Sequence, residues 1–167
     1  MNHETIDALG APSQHPMPAL TPDAETWRLQ IDGKVERPIQ VALGDLRALP
    51  RLEQQGSFTC ERGWEEGRLH WQGASLAALL ELACPLPEAT ALYAYAGDFR
   101  SLVPLEAVPQ AILVDQVDGH ALTAERGAPC RLVVHSAACQ LSMKWLERLE
   151  LVRSAPEEPV GPRRPLD

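Results

Sequence analysis

Apolar residues in this chain come in short bursts, each cut off by glycine, proline or an Asp-Gly pair, and that punctuation leaves room for many strands and few helices. Trp27, Leu29 and Ile31 alternate with Arg28, Gln30 and Asp32, which predicts a half-buried strand. Asp32-Gly33 suits a tight turn, and Val35, Ile39 and Val41 supply the return strand, with Pro38 at an edge or bulge. Further strands are expected over 52–59, 90–96, 99–103, 111–116 and 131–135, and Asp118-Gly119 is a second turn signal. The run from Lys144 to Leu151 alternates for part of its length and reads as a strand, although a helix fits almost as well. Asp45 to Leu49 reads as a helical turn ended by Pro50. Ser75 is a good N-cap for a helix whose Leu76, Leu79, Leu80 and Ala83 fall on one face, with Pro85 stopping it. Gly63, Gly67 and Gly73 predict a long loop between the strand from Leu52 and that helix. The fold class expected is α+β: a mixed sheet or barrel with short peripheral helices.

A chain of 167 residues with 45% hydrophobic side chains suits one domain. We expect a flexible arm over 1–24, rich in proline, a folded domain over 25–153 and a second proline-rich tail over 154–167. The net charge of −8 argues against a global field for nucleic acid or an anionic membrane, so any anion must be held by a local site. The N-terminus has neither a basic leader nor twin arginines, and no apolar run approaches the ~20 residues of a spanning helix. A cytoplasmic protein is the expectation. Cys60, Cys84, Cys130 and Cys139 contain no C-x-x-C pair, a poor zinc signature, and disulfides are disfavoured in that compartment. His70, His120 and His135 are scattered and form no ligand set.

Three separated segments carry a more specific signal. The first is Trp27 to Val35 followed by Leu43-Gly44-Asp45-Leu46-Arg47-Ala48-Leu49-Pro50. The second is Phe58-Thr59-Cys60-Glu61-Arg62-Gly63-Trp64, then Trp71-Gln72-Gly73 and the helix from Ser75. The third is Gly127-Ala128-Pro129-Cys130-Arg131-Leu132-Val133-Val134 followed by Ser142-Met143-Lys144-Trp145-Leu146. In this order they resemble the sulfite oxidase-type oxidoreductase molybdopterin-binding domain family.

The resemblance implies that fold, a molybdenum-molybdopterin cofactor, and Cys60 as the protein's metal ligand and a catalytic residue. A thiolate is a soft, electron-rich ligand suited to such a metal. It further implies that Arg131 lies near the pterin phosphate, that Ser142, Lys144 and Trp145 line the cofactor, and that Glu61 beside Cys60 joins the binding set. Asp98, in Gly97-Asp98-Phe99, resembles a segment rimming the family's active site and is the second catalytic candidate beside Cys60, yet Gly-Asp is equally a turn signal. Arg131 also reads as a strand end or ion-pair partner, Lys144 as an exposed strand residue, and Trp145 as a core anchor. Arg62, Arg100 and Arg126 offer a weak basic rim for an anionic substrate. His135 and residues 136–140 depart from the proline-and-glycine stretch expected before the Ser142 segment.

The function expected is two-electron oxo transfer on a small substrate, an oxo donor or acceptor, with electrons passed to a protein partner and no nucleic acid or membrane insertion involved. The alternatives are a non-catalytic cofactor-binding subunit and a protein-interaction module of the same fold.

Overall fold

The alternation at Trp27 to Asp32 becomes β1 (Arg28–Gly33), which buries Leu29 and Ile31 and exposes Arg28 and Gln30. After the Asp32-Gly33 turn the chain returns as β2 (Ile39–Ala42), while Val35 makes an isolated bridge to Pro85. A short α1 (Leu43–Arg47) follows, with the Asp45 carboxylate accepting the Ala42 N–H at 2.8 Å. Then come β3 (Arg51–Gly56), β4 (Leu69–Ser75) and α2 (Leu76–Ala83). The Ser75 hydroxyl caps α2 by accepting the Ala78 N–H at 3.2 Å, and the buried positions are the four expected from spacing. The hairpin β5 (Ala91–Ala96) and β6 (Phe99–Pro104) leads through a 3-10 turn to β7 (Ala111–Val117) and β8 (His120–Ala121). The chain closes with β9 (Arg131–His135), β10 (Gln140–Met143), β11 (Arg148–Val152) and β12 (Gly161–Pro162). This computed structural model describes residues 23–56, 69–135, 140–153 and 161–162.

These strands form two sheets. The first runs β12-β6-β5-β11-β1-β2 and is mixed, because β1 pairs with β11 in parallel while its other pairings are antiparallel. The second runs β10-β9-β7-β4-β3, with β8 on β7, and is antiparallel. One core draws Leu29, Ile31, Leu92 and Leu149 from the first sheet, Leu113, Leu132, Val134 and Met143 from the second, and Leu76, Leu79 and Leu80 from α2. Along β9 the alternation then sends Val133 to a second cluster with Trp71, Ile112, Val114, Val117 and Leu122, on the opposite face of the second sheet. The α+β architecture with short helices is therefore present, and sheets dominate it.

Two local expectations are corrected. Gly73 lies within β4 and not in a loop, at a register shift opposite β7 where the partner backbone comes too close for any side chain. The expected strand from Lys144 to Leu151 exists only from Arg148 onward; Trp145 adopts φ 57°, and residues 144–147 carry the chain from the second sheet to the first. Among the described residues, no helix is long and apolar enough to cross a membrane.

Candidate functional site

Arg131 opens β9 on the face that carries Val133 and Trp71, and its side chain is fully buried. A guanidinium is rarely buried without fixed partners. Here its Nε–H donates to the Ser142 hydroxyl at 2.6 Å, its Nη1 donates to the Arg126 carbonyl at 3.2 Å, and its plane lies 5.3 Å from the Trp71 ring centroid. Ser142 reaches Arg131 because β10 pairs with β9 so that Ser142 stands opposite Val133 and shares its face.

A second cation follows two residues later. Lys144 is almost wholly buried, with its ammonium 5.4 Å from the Trp145 ring, and the Trp145 indole N–H donates to the Ala124 carbonyl at 2.7 Å. The segment is tied at both ends: Trp145 N–H donates to Gly127 O at 3.2 Å, Leu146 N–H to Cys130 O at 3.0 Å, and Glu147 N–H to Tyr95 O at 3.0 Å. From the first sheet, the Trp27 indole N–H reaches Leu146 O at 2.9 Å.

The buried carboxylate nearest in sequence is committed elsewhere. Asp115 of β7 is matched by Arg51 at 2.6 Å and Arg47 at 3.2 Å, so its charge is answered by α1 and β3. Cys130, beside Arg131, is fully buried; desolvation first and the Asp115 charge second push its thiol far above the ordinary range. At ordinary pH it is a neutral, buried thiol. Trp71 is buried with its indole N–H meeting no acceptor among the described residues, a costly arrangement that calls for a partner. Toward the other end of β9 the surface opens into a hollow of about 260 Å³ lined by Leu52, Glu53, Gln54, Gln110, Ile112 and His135. Arg131 on β9, Ser142 on β10, Lys144 just after it, and the Trp71 indole N–H on β4, which meets no acceptor among the described residues, make a donor-rich region suited to an anionic, oxygen-bearing group.

Of the residues expected from sequence, the structure brings together Arg131, Ser142, Lys144 and Trp145. Cys60 and Glu61 lie outside the described residues, as do Arg62 and Cys139. Asp98 is exposed in the β5–β6 turn of the first sheet, next to Gly97, whose N–H donates to the Glu147 carboxylate at 2.7 Å. Its hairpin therefore adjoins the crossing segment. Arg100 stacks 4.3 Å from the Tyr93 ring centroid, and Arg126 contributes its backbone carbonyl to Arg131. Cys84 is a half-buried helix cap at φ 56°. The sequence motifs contained Trp71 and Gly127 but gave neither Trp71 nor the backbone of the turn Ala124–Arg126 a role in the site.

Comparisons with known proteins agree with this picture. A family model described as the oxidoreductase molybdopterin binding domain matches residues 14–160. The chain is 28% identical over 134 residues to the uncharacterized oxidoreductase YuiH of Bacillus subtilis, covering 78% of this chain and 68% of that protein. It is 25% identical to the protein-methionine-sulfoxide reductase catalytic subunit MsrP of Campylobacter jejuni, covering 81% of this chain and 52% of that protein. Among solved structures, the sulfane dehydrogenase SoxCD of Paracoccus pantotrophus superposes with a TM-score of 0.74 at 28% identity, covering 86% of this chain and 42% of that one. The chain thus spans about two thirds of the first relative and about half of the second.

Proposed function

Because the chain belongs to the oxidoreductase molybdopterin-binding domain family, we propose that it holds a molybdenum-molybdopterin cofactor through Arg131, Ser142, Lys144 and Trp71, with the Cys60 thiolate as metal ligand, and catalyses oxidation or reduction of a small substrate. The observation that carries the proposal is the buried Arg131, oriented by Ser142 and the Arg126 carbonyl, lying beside Trp71, whose indole N–H meets no acceptor among the described residues. A buried indole N–H without an acceptor is costly, and an oxygen-rich anionic group beside it relieves that cost. The donor set therefore fits the group.

When bound, the cofactor supplies two-electron oxo-transfer chemistry. The protein's part is to bind and orient it. Arg131 offers its guanidinium edge, already oriented by Ser142 and the Arg126 carbonyl, and Lys144 offers a point charge. Their burial removes competing water, so each contact is stronger than it is at the surface. Glu61 adjoins the metal ligand in this reading, and Asp98, exposed on its hairpin, belongs to the approach side and not to the cofactor cradle. Electrons leave to, or arrive from, a protein partner. A cytoplasmic setting is part of the proposal, and cell fractionation tests it.

The direct test is molybdenum content by mass spectrometry on protein made in a host that synthesises the pterin and is supplied with molybdate. Near-stoichiometric metal is expected, and Cys60→Ser changes the electronic spectrum of the centre and abolishes turnover with an artificial electron acceptor or donor. Folded protein free of molybdenum and pterin, in the presence of its maturation factors, refutes the reading.

A further inference from the structure

We propose that the turn Ala124–Gly127 is a positioning clamp that aims Arg131 and Lys144 at the anionic end of the cofactor before it binds; the inference rests on the cofactor reading above. Backbone carbonyls in a surface turn are ordinarily left to water or to the turn itself. Here three of them are directed at the two site segments. Ala124 O accepts the Trp145 indole N–H at 2.7 Å as well as the Gly127 N–H at 3.1 Å. Arg126 O accepts the Arg131 guanidinium at 3.2 Å, and Gly127 O accepts the Trp145 N–H at 3.2 Å. One turn therefore grips the β9 cation and the segment that follows β10.

Gly127 adds a steric element. It adopts φ +105°, and a Cβ placed there would stand 2.8 Å from Lys144 Cβ and 2.9 Å from both its Cα and its Cγ. The glycine lets the turn lie flat against the base of the Lys144 stem, where contact removes rotamers, and the Trp145 ring stands beside the ammonium at 5.4 Å. A free lysine side chain carries about 2 kcal/mol of rotamer entropy, and a stem already ordered loses less of it on binding. The left-handed conformation of Trp145, φ 57°, turns the backbone so that its N–H and its indole both meet the turn. Gly127 and Trp145 act here through Lys144, as positioning residues.

The test compares Gly127→Ala, Trp145→Phe, Lys144→Ala and the Gly127→Ala/Lys144→Ala pair, each as the full chain from a cofactor-producing host. Retained molybdenum and pterin are measured after extended dialysis, and melting curves are recorded separately on cofactor-free protein. Gly127→Ala should weaken retention by about tenfold, equivalent to ~1.4 kcal/mol, and Trp145→Phe should act in the same direction. In the Lys144→Ala background Gly127→Ala should add a smaller further loss of cofactor than it causes alone, the remainder acting through Arg131, whatever it does to the melting curve. Full retention by Gly127→Ala overturns the clamp, as do losses that multiply in the double variant, which mark a merely structural turn. Should Gly127→Ala fail to fold, unaltered retention by Trp145→Phe overturns it instead. Full retention by Lys144→Ala, by contrast, removes the assignment of Lys144 to the cofactor and the clamp with it.

Discussion

Replacing Gly73 by alanine places a methyl group against the backbone of β7. The added Cβ would stand 2.6 Å from the Leu113 carbonyl carbon and 2.7 Å from Val114 Cα, and closer still to the Leu113 carbonyl oxygen. These are backbone atoms of a central strand and cannot swing aside as a side chain can. Restoring ordinary contact at 3.4 Å or more means parting β4 from β7 by about 1 Å, well beyond the stretch a ladder hydrogen bond tolerates. With two ladder bonds lost at about 1 kcal/mol each and one stranded polar group costing a further ~1–3 kcal/mol, the substitution should destabilise by about 3–5 kcal/mol. Total stability for such a domain is roughly 5–15 kcal/mol. At a urea slope of about 2 kcal/mol/M, the unfolding midpoint should fall by about 1.5–2.5 M. Gly44→Ala is the matched control: the site lies in α1 with nothing within 4 Å, and the same methyl there should be neutral or stabilise by up to about 1 kcal/mol. A loss below ~1 kcal/mol at Gly73, or a comparable loss at both glycines, would refute the argument from close strand approach.

Two further outcomes follow from the buried polar groups. Asp115→Asn should lower the melting temperature by about 4–8 °C, corresponding to ~2 kcal/mol; because Arg47 and Arg51 are 47% and 33% exposed they can turn to water, so the cost stays below that of a stranded buried charge, and an unchanged midpoint would show the Asp115 ion pairs to be idle. Cys130 has a raised pKa in the folded state, so the folded chain keeps a proton that the unfolded chain releases; stability should fall as pH rises above about 9, urea midpoints should show this slope, and Cys130→Ala should flatten it, whereas an identical slope in both proteins would refute the assignment.

What could be read from the sequence was local. α2 was legible because a serine N-cap and one apolar stripe specify a helix within nine residues, 75–83. β1 showed itself by alternation, and β9 by its run of branched apolar residues. β4 was hidden because Gly73 reads as a breaker, while its actual role is to let two strands approach, a relation between residues some forty positions apart. Residues 144–147 imitated a strand because their burial reflects passage between two sheets. Arg131, Ser142, Lys144 and Trp145 were singled out through their motif, and the 2.6 Å Arg131–Ser142 bond is a contact between two of its separated parts. The clamp carbonyls were invisible because every residue presents the same carbonyl, and only the fold decides where it points.

The parallel pairing of β1 with β11, Gln30 beside Arg148 and Gly33 beside Leu151, bears on the order in which this protein comes into being. During synthesis β1 emerges early, yet its central neighbour is made more than a hundred residues later. Until then the first sheet consists of two separate hairpins, β1–β2 and β5–β6, and the loop that joins β1 to its partner must close at a large entropic cost. The residues immediately before β11 are those that carry Lys144 and Trp145. The act that seals the first sheet therefore also fixes the segment that carries Lys144 and Trp145, and a ribosome-bound chain stopped short of β11 lacks that anchorage however well its earlier hairpins have formed.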